Sequence, residues 1–273
     1  MKVDIGSIVE NILILIMLRL IASISYLEIP LTLWLSYYNA HLFSFRMLLP
    51  CILLYVMKEC YSMSVCLHRY FSHRAFKCNR SVQFCLSFLG CLASQGSPLW
   101  WASKHRRHHK HCDTPRDPHS PHAYTKMYAW IGWIYTEGPC GSGTDFEYIK
   151  DFDEYPELYL FEIVPWAPVS LIHYLFYRCY GFSVMLYVSM WSSILCQLLT
   201  LYFNVISHSA INDERCKAVD NPGDILSNIY GESYHKHHHK HPRLAKRPGI
   251  DIPYWTFILP MLYLNLFRLD KHV

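Results

Sequence analysis

The chain has 273 residues, of which 52% are hydrophobic and 17% are charged, and its formal net charge is +4. Charged residues make up about a quarter of a typical soluble domain. The low charged fraction, concentrated in a few dense segments, disfavours one soluble globule and favours a membrane protein with a polar portion. We expect no nucleic-acid partner.

Four apolar runs predict membrane spans, because each is long enough to cross about 30 Å of hydrocarbon. In chain order they are roughly residues 8–28, 45–65, 157–178 and 182–203. A shorter run at 81–97 predicts a re-entrant or buried helix. The aromatic run at 254–267 contains Pro260 and predicts a segment in the membrane interface. A soluble all-helical protein with buried helices is the alternative.

The charge distribution predicts how these spans are oriented. Of the 25 Lys and Arg residues, 12 lie from Lys58 to Lys150 and nine lie after Asn204. The positive-inside tendency therefore places the polar segments 66–156 and 204–273 in the cytosol. We expect a single domain over 1–273, with an all-α integral membrane fold of four transmembrane helices and a cytosolic helical cap. No removable signal peptide is expected at the N-terminus.

Histidines cluster where apolar runs meet polar segments. Two clusters have members at i, i+3 and i+4, a spacing that puts imidazoles on one helix face. They are His105, His108 and His109, and His235, His238 and His239. His68 and His73, five residues apart, would point about 140° apart on an ideal helix. His208, four residues after Asn204, brings the number of clustered imidazoles to nine. Nine are enough for two metal ions with four or five ligands each.

The ligand type alone does not choose the metal, because imidazole suits iron, zinc, copper and nickel. Only one Glu-x-x-His motif occurs, from Glu232 to His235, which disfavours a carboxylate-bridged centre of the ferritin type. Five acids near the clusters are predicted to accept hydrogen bonds from ligand N–H groups, with ordinary surface charge as the alternative. They are Asp113, Asp117, Asp213, Asp220 and Glu232.

The eleven cysteines are scattered, and no Cys-x-x-Cys pair is present. The spacing therefore predicts neither a thiolate zinc site nor a disulfide scaffold. Reduced cysteines in an intramembrane setting are expected instead.

Four segments together carry a resemblance to a known family. They are HRYFSHRAFK at 68–77, PLWWASKHRRHHKHCDTPRDPHSP at 98–121, NVISH at 204–208 and GESYHKHHHKHP at 231–242. In this order they resemble the membrane-bound fatty acyl desaturases of the stearoyl-CoA type. The second segment is most similar to bacterial acyl desaturases. The resemblance covers residues from about 50 to 255.

The resemblance implies a di-iron centre of two Fe²⁺ ions. One iron would take His68, His73, His105, His109 and His239. The other would take His108, His208, His235 and His238, with Asn204 reaching it through a water. Trp101 and Thr200 match positions that line a kinked acyl tunnel near the reacting carbons.

The activity that the resemblance implies is the introduction of a cis double bond, of the delta-9 type, using O2 and two electrons. The expected partners are a fatty acyl thioester or acyl lipid, membrane lipids and an external donor similar to cytochrome b5 or a ferredoxin. The membrane is the endoplasmic reticulum or a bacterial inner membrane, with the histidines facing the cytosol. The alternatives are a di-iron hydroxylase and a non-catalytic, histidine-rich metal-binding or transport protein.

Some residues depart from the family pattern. Lys236 replaces an Asn, Ser233 replaces a Gly, and His237 adds an imidazole. Ser103 and Gly96 stand where animal acyl-CoA enzymes have polar groups that contact the substrate's head. These two departures leave an acyl-lipid or acyl-carrier substrate open beside the coenzyme A ester.

Overall fold

The structure is a computed structural model that describes residues 25–136, 143–211 and 214–269. The first expected span, 8–28, lies almost entirely outside these residues. The described part is mainly helical, with one small antiparallel sheet.

The main elements are numbered here in chain order. Helix α1 is Glu28–Tyr38, α2 is Phe45–Ser72, α3 is Arg80–Cys91, α4 is Pro98–His111, α5 is 128–135, α6 is Tyr159–Ile163, α7 is Ala167–Tyr180, α8 is Phe182–Ser207, α9 is Ile225–Ile229, α10 is His235–Lys240 and α11 is 254–263. Strand β1 (Lys77–Cys78) pairs with β2 (Phe267–Arg268). Short 3₁₀ turns lie at Ser25–Leu27, Ala40–Leu42, Phe146–Tyr148, Lys150–Phe152 and Pro156–Leu158.

Helices α2 and α8 are long and apolar enough to cross a membrane. A third span is present if Pro156–Ile163 and α7, which are bent by 59° relative to each other, act as one. Helices thus occupy the three expected apolar runs that fall within the described residues. The tight turn between α7 and α8 is made by Gly181, whose φ of 85° favours glycine. Four spans and a cytosolic cap stay predictions.

The first half of α2 presents a large apolar surface. Leu48, Leu49, Ile52 and Leu53 are all exposed on it. The second half of the same helix is almost completely buried and carries polar residues. A large exposed apolar face is unusual on a soluble monomer, so this division agrees with the candidate membrane span that the helix forms.

The buried half of α2, Lys58–Ser72, is a π-helix. Its last turn closes with the His73 N–H donating to the carbonyl of His68 over 3.2 Å, an i to i+5 bond. A wider turn of this kind brings residues five apart onto neighbouring positions of one face. The separation of 140° expected for an ideal helix is therefore wrong for His68 and His73.

Helix α4 begins with a local capping signal. The Ser97 side chain accepts from the Trp100 N–H, and Pro98 occupies the first turn, where a missing N–H costs nothing. The helix packs against the π segment of α2. Its buried start, which includes Trp100 and Trp101, belongs to a core shared with α8. This packing holds the histidines of α4 opposite those of α2.

The two shorter apolar runs also form helices. The run at 81–97 contributes α3, which packs against α2. The aromatic run after Pro253 forms α11 and then turns back, so that β2 pairs with β1 near the end of α2.

Cys112 and Cys216 form a disulfide, with 5.2 Å between their Cα atoms. The expectation that no disulfide forms is therefore wrong at this pair. The two residues are 104 positions apart, and only the tertiary fold brings them together. Local cysteine spacing carries no information about such a pair.

Candidate metal centre

Nine histidines converge in two adjacent groups. The first group contains His68, His73, His105, His109 and His238. The second group contains His108, His208, His235 and His239. Helices α2, α4 and α10 supply all members except His73, which directly follows α2, and His208, which directly follows α8.

The Nε2 atoms of the first group face one another at short range. His105 Nε2 lies 2.9 Å from that of His73 and 3.0 Å from that of His109. His238 Nε2 lies 3.0 Å from that of His68 and 3.1 Å from that of His109. All five rings thus point the same nitrogen at a common centre.

The second group repeats this arrangement. His235 Nε2 lies 3.0 Å from that of His208 and 3.2 Å from that of His239. The Nε2 atom of His108 is buried and has no hydrogen-bond partner among the described residues. A buried nitrogen without a partner is costly unless a metal or another group takes its lone pair.

These separations fit metal binding. Two imidazole nitrogens bound at a right angle to one ion, with bonds of about 2.1 Å, lie about 3.0 Å apart. The observed spacing of 2.9–3.2 Å within each group matches that value. Both groups can therefore hold a metal ion.

Carboxylates fix which nitrogen faces the centre. His68 Nδ1 lies 3.0 Å from Glu232, and Nδ1 of His108 and of His208 each lie 2.8 Å from an aspartate, Asp117 and Asp113. A carboxylate accepts from the Nδ1–H group, which leaves the Nε2 lone pair free for a metal. The predicted role of these three acids is confirmed. Asp220 instead accepts from the His237 backbone N–H, and Asp213 lies outside the described residues.

Burial and repulsion from nearby charge favour the neutral form in six of the nine imidazoles, whereas the charge of Asp117 raises the pKa of His108 against the effect of burial. Burial comes first among the causes, and neighbouring cationic groups add to it. Together they hold the pKa well below the ordinary value in six members: His73, His105, His109, His235, His238 and His239. The neutral imidazole is the form that binds a metal.

In the acids beside these histidines, the effect of neighbouring charge on the pKa outweighs the effect of burial. Burial alone would raise the pKa of Glu232, but the charge and hydrogen bond of His68 lower it to about 2. Asp117 is likewise held below its ordinary pKa by His108, against the effect of burial. Both groups stay charged and keep their acceptor role.

The structure exchanges two of the ligands relative to the expectation from the resemblance. His238 belongs to the first group and His239 to the second. The reason is the helical spacing, because side chains at i and i+4 differ by about 40° in direction, whereas the side chain at i+3 points about 60° to the other side. On α4, His105 and His109 share a group while His108 joins the other. On α10, His235 and His239 share a group in the same way.

The departures at Lys236 and His237 lie outside both groups. Lys236 Nζ is 3.0 Å from Glu214 at the surface. The His237 ring lies beside His241, at 4.8 Å between ring centroids. Both side chains leave α10 on the side away from the convergent nitrogens.

A buried ion pair supports the loop before α10. Arg69 donates to both carboxylate oxygens of Asp251, at 2.7 and 3.1 Å, and to the carbonyl of Tyr230. Gly231 has a φ of 73°, and a Cβ there would collide with the Arg69 guanidinium and the Asp251 carboxylate. Only glycine fits this close approach, which positions Glu232 beside His68.

A narrow cavity of about 40 Å³ lies between α2, α4 and α8 and reaches the histidines. Trp101, Thr200 and Asn204 line it together with His68, His105 and His235. The Trp101 ring is nearly parallel to that of His105, with 6.3 Å between centroids. The sequence-predicted tunnel residues thus lie beside the site.

The sequence analysis missed Glu59, which lines the same cavity. Its carboxylate accepts from Thr200 Oγ1 at 3.0 Å and from Cys196 Sγ at 3.2 Å. Among the described residues no cation lies within ion-pair distance of it. The signal was visible, since a carboxylate inside an apolar run is expensive unless it has a role.

Two of the basic residues near the clusters serve the fold. Arg106 donates to the carbonyls of Phe71 and Ser72 at the end of α2 and pairs with Asp151. Arg247 is only 2% exposed, so it does not present charge to a headgroup or a partner protein.

Comparisons with known proteins identify relatives. A family model described as fatty acid desaturase matches residues 43–257. The sn-2 palmitoyl-lipid 9-desaturase of Nostoc sp. (strain 36) is 30% identical over 223 residues, covering 72% of this chain and 73% of that protein. A probable chloroplastic lipid desaturase of Arabidopsis thaliana is 28% identical over 198 residues, covering 68% and 52%.

A shorter match is closer in sequence. The hex-5-enoyl-acyl-carrier-protein acetylenase of Moorena producens (strain JHB) is 54% identical over 59 residues, which cover 22% of this chain and 18% of that protein. The chain thus spans about half or less of the length of two of these three relatives.

Proposed function

Since this chain belongs to the fatty acid desaturase family, we propose that it introduces a cis double bond into a saturated acyl chain. The observation that carries the proposal is the pair of histidine groups at the end of a narrow cavity between apolar helices. The double bond is of the delta-9 type, as the name of the Nostoc relative suggests. A saturated acyl chain has no reactive group, so the site must both oxidise the chain and hold the reacting carbons in position.

The two groups would hold two iron ions, one through five imidazoles and the other through four. When bound, the iron pair supplies the power to oxidise an unactivated methylene pair with O2. Balanced, –CH2–CH2– with O2, two electrons and two protons gives –CH=CH– and two waters. The electrons come from an external carrier similar to cytochrome b5 or a ferredoxin.

The protein's own residues orient the ligands and the chain. Glu232, Asp113 and Asp117 hold three ligand rings in one tautomer. Trp101 and Thr200 border the cavity where the reacting carbons would lie, and Asn204 lines the same cavity, from which it would reach the second metal through a water. Burial of the site excludes bulk water from the oxidising centre. Position in this cavity then selects which carbons react.

We propose an acyl chain on a lipid or a carrier as the substrate, with the coenzyme A thioester as the alternative. Ser103 is completely buried, and its hydroxyl donates to the Trp100 carbonyl. Gly96 is buried too, against the Trp100 ring. Neither position offers a free polar group to a large soluble headgroup. Two relatives are named as lipid desaturases, whereas others are named as acyl-CoA desaturases.

Four membrane helices with the histidines on the cytosolic side would complete the enzyme. The membrane is the endoplasmic reticulum or a bacterial inner membrane. An orientation with the basic segments in the cytosol agrees with the positive-inside tendency.

Expression in a desaturase-deficient host tests the proposal, with mass spectrometry of the total acyl chains as the measurement. We expect new cis-monounsaturated chains with the wild-type protein and none with His108→Ala. His111→Ala is the matched control, because His111 lies on the same helix but in neither histidine group. Hydroxylated chains would favour the hydroxylase alternative. Unchanged lipids in cells that contain intact, iron-loaded protein would contradict the proposal.

A further inference from the structure

The Cys112–Cys216 disulfide lies directly behind the second histidine group. Cys112 follows the last residue of α4, and Cys216 lies in the segment that leads from His208 towards α9. The bond therefore joins the end of α4, which carries His108, to the segment that follows His208.

Each sulfur touches a ligand ring on the side that faces away from the metal centre. Cys112 Sγ lies 3.8 Å from His208 Nδ1, and Cys216 Sγ lies 3.6 Å from His239 Nδ1. The Nε2 atoms of the same two rings belong to the second group. The disulfide thus contacts His208 and His239, two of the four histidines of the second group.

The disulfide can be reached from solvent. An open cavity of about 190 Å³ is lined by both cysteines, His239 and Lys240. Cys112 is buried and Cys216 is partly exposed, so Cys216 Sγ is the sulfur open to attack.

The remaining links across this junction are hydrogen bonds. Asp113 accepts from the Lys217 N–H at 2.7 Å and also from His208 Nδ1. The Val219 N–H donates to the Ser207 carbonyl at 2.8 Å. Cutting the disulfide leaves the position of Asp113, and with it His208, dependent on these weaker contacts.

We propose that Cys112–Cys216 is a redox-active disulfide whose reduction loosens His208 and His239 in the second histidine group. The inference rests on the proposed function for the identity of the metal. Disulfides in a reducing compartment are usually transient or redox-sensing, and the cytosolic orientation proposed above puts this pair in such a compartment.

The reductant is a dithiol. Its thiolate attacks Cys216 Sγ, the S–S bond breaks, and Cys112 leaves as a thiolate. The second thiol of the reductant then attacks the mixed disulfide and releases Cys216. Two electrons and two protons pass from the dithiol to the protein, which ends with two thiols, while the reductant becomes a disulfide.

Iron release to a chelator tests the proposal on the full-length purified protein, after incubation with dithiothreitol or without it. Mass spectrometry after alkylation reports the state of the two cysteines in each sample. We expect one of two irons to leave about tenfold faster from the reduced protein, as is typical when the contacts behind a ligand are lost. A Cys112→Ser, Cys216→Ser double variant should release it fast under both conditions. A Cys85→Ser, Cys179→Ser variant, which removes two exposed free cysteines, should behave as wild type.

Hydrogen exchange at Val219 gives a readout that needs no metal. Reduction should speed exchange there in wild-type protein and change nothing in the double variant. Equal iron release and equal exchange in the oxidised and reduced proteins would overturn the inference, and so would two thiols that stay alkylatable after treatment with diamide. A protein that holds no iron in either state would contradict the proposed function instead, and Val219 exchange would then decide the inference.

Discussion

At the scale of single residues, the metal centre depends on acids behind the histidines. Asp117 is completely buried, accepts from His108 and is itself held by the Asp113 and His119 backbone N–H groups. Such a partner fixes the ring orientation of a ligand and increases its basicity.

Asp117→Asn should weaken metal binding by the second group by about 10–100-fold, because the amide carries no charge to stabilise the His108 ring in its binding tautomer. Iron content after dialysis against a graded chelator measures this. Glu157→Gln, which removes a surface carboxylate paired with Arg80, is the control and should retain wild-type iron. Equal retention by both variants would contradict the role given to Asp117.

Glu59→Leu should shift the products towards longer acyl chains. An apolar side chain at this position lets further methylenes be buried, each worth about 0.8 kcal/mol or roughly fourfold in selectivity. The measurement is the chain-length distribution of the unsaturated products. Glu59→Gln keeps a polar wall of the same shape and should retain the wild-type distribution. An unchanged chain-length distribution in the Leu variant would contradict the prediction that the acyl chain contacts Glu59.

The residue types at the site were predictable, but their grouping only in part. Ordered histidine clusters pointed to nine ligands and two ions. Helical spacing also predicts that His235 and His239 share one group, as His105 and His109 do, but the family resemblance placed His239 differently. The Cys112–Cys216 pair was not predictable, because nothing local marks two residues that meet only in the folded chain.

At the scale of elements, two backbone features place the ligands. The π segment of α2 brings His68 and His73 onto one face, and the left-handed Gly231 lets the chain pass close to the Arg69–Asp251 pair. The apolar runs predicted the positions of α2, α7 and α8. The π geometry was not predicted, because the pattern of apolar residues does not distinguish an i to i+5 turn from an i to i+4 turn.

Gly231→Ala should destabilise the protein by about 1–3 kcal/mol, since alanine is strained at this φ and its Cβ meets the buried ion pair. Thermal unfolding in detergent measures the loss. Gly223→Ala is the matched control, because a Cβ at Gly223 meets nothing closer than 3.7 Å. Similar melting of the two variants would show that the close approach at Gly231 contributes little.

At the scale of the whole molecule, a cluster of mostly buried imidazoles lies where the apolar helices α2 and α8 meet the polar segments that contain α4 and α10. The composition predicted this division between apolar and polar segments.

The buried histidines predict how the stability of the metal-free protein depends on pH. In six of them the pKa in the folded chain is well below the ordinary value of about 6.5, whereas unfolding restores that value. Unfolding therefore takes up protons as the pH falls below about 6.5, and stability is lost by up to about 1.4 kcal/mol per pH unit for each histidine.

The melting temperature of iron-free protein should thus be clearly lower at about pH 5.5 than at about pH 8. His237→Ala, which removes a histidine outside both groups, should follow the wild-type profile. The carboxylates with lowered pKa values affect the stability at lower pH, since the stabilisation that they contribute is lost only as the pH falls below about 4. A melting temperature that does not change between these two pH values would contradict the buried, neutral state of the site.

The most direct test compares two neighbouring positions on α10. His238→Ala removes a ligand of the first group, whereas His237→Ala removes an imidazole that belongs to neither group. The measurement is the ratio of unsaturated to saturated acyl chains in a desaturase-deficient host at matched protein levels. We predict wild-type ratios for His237→Ala and no unsaturated product for His238→Ala. Equal product from both variants, or loss of product in both, would contradict the assignment of the metal centre.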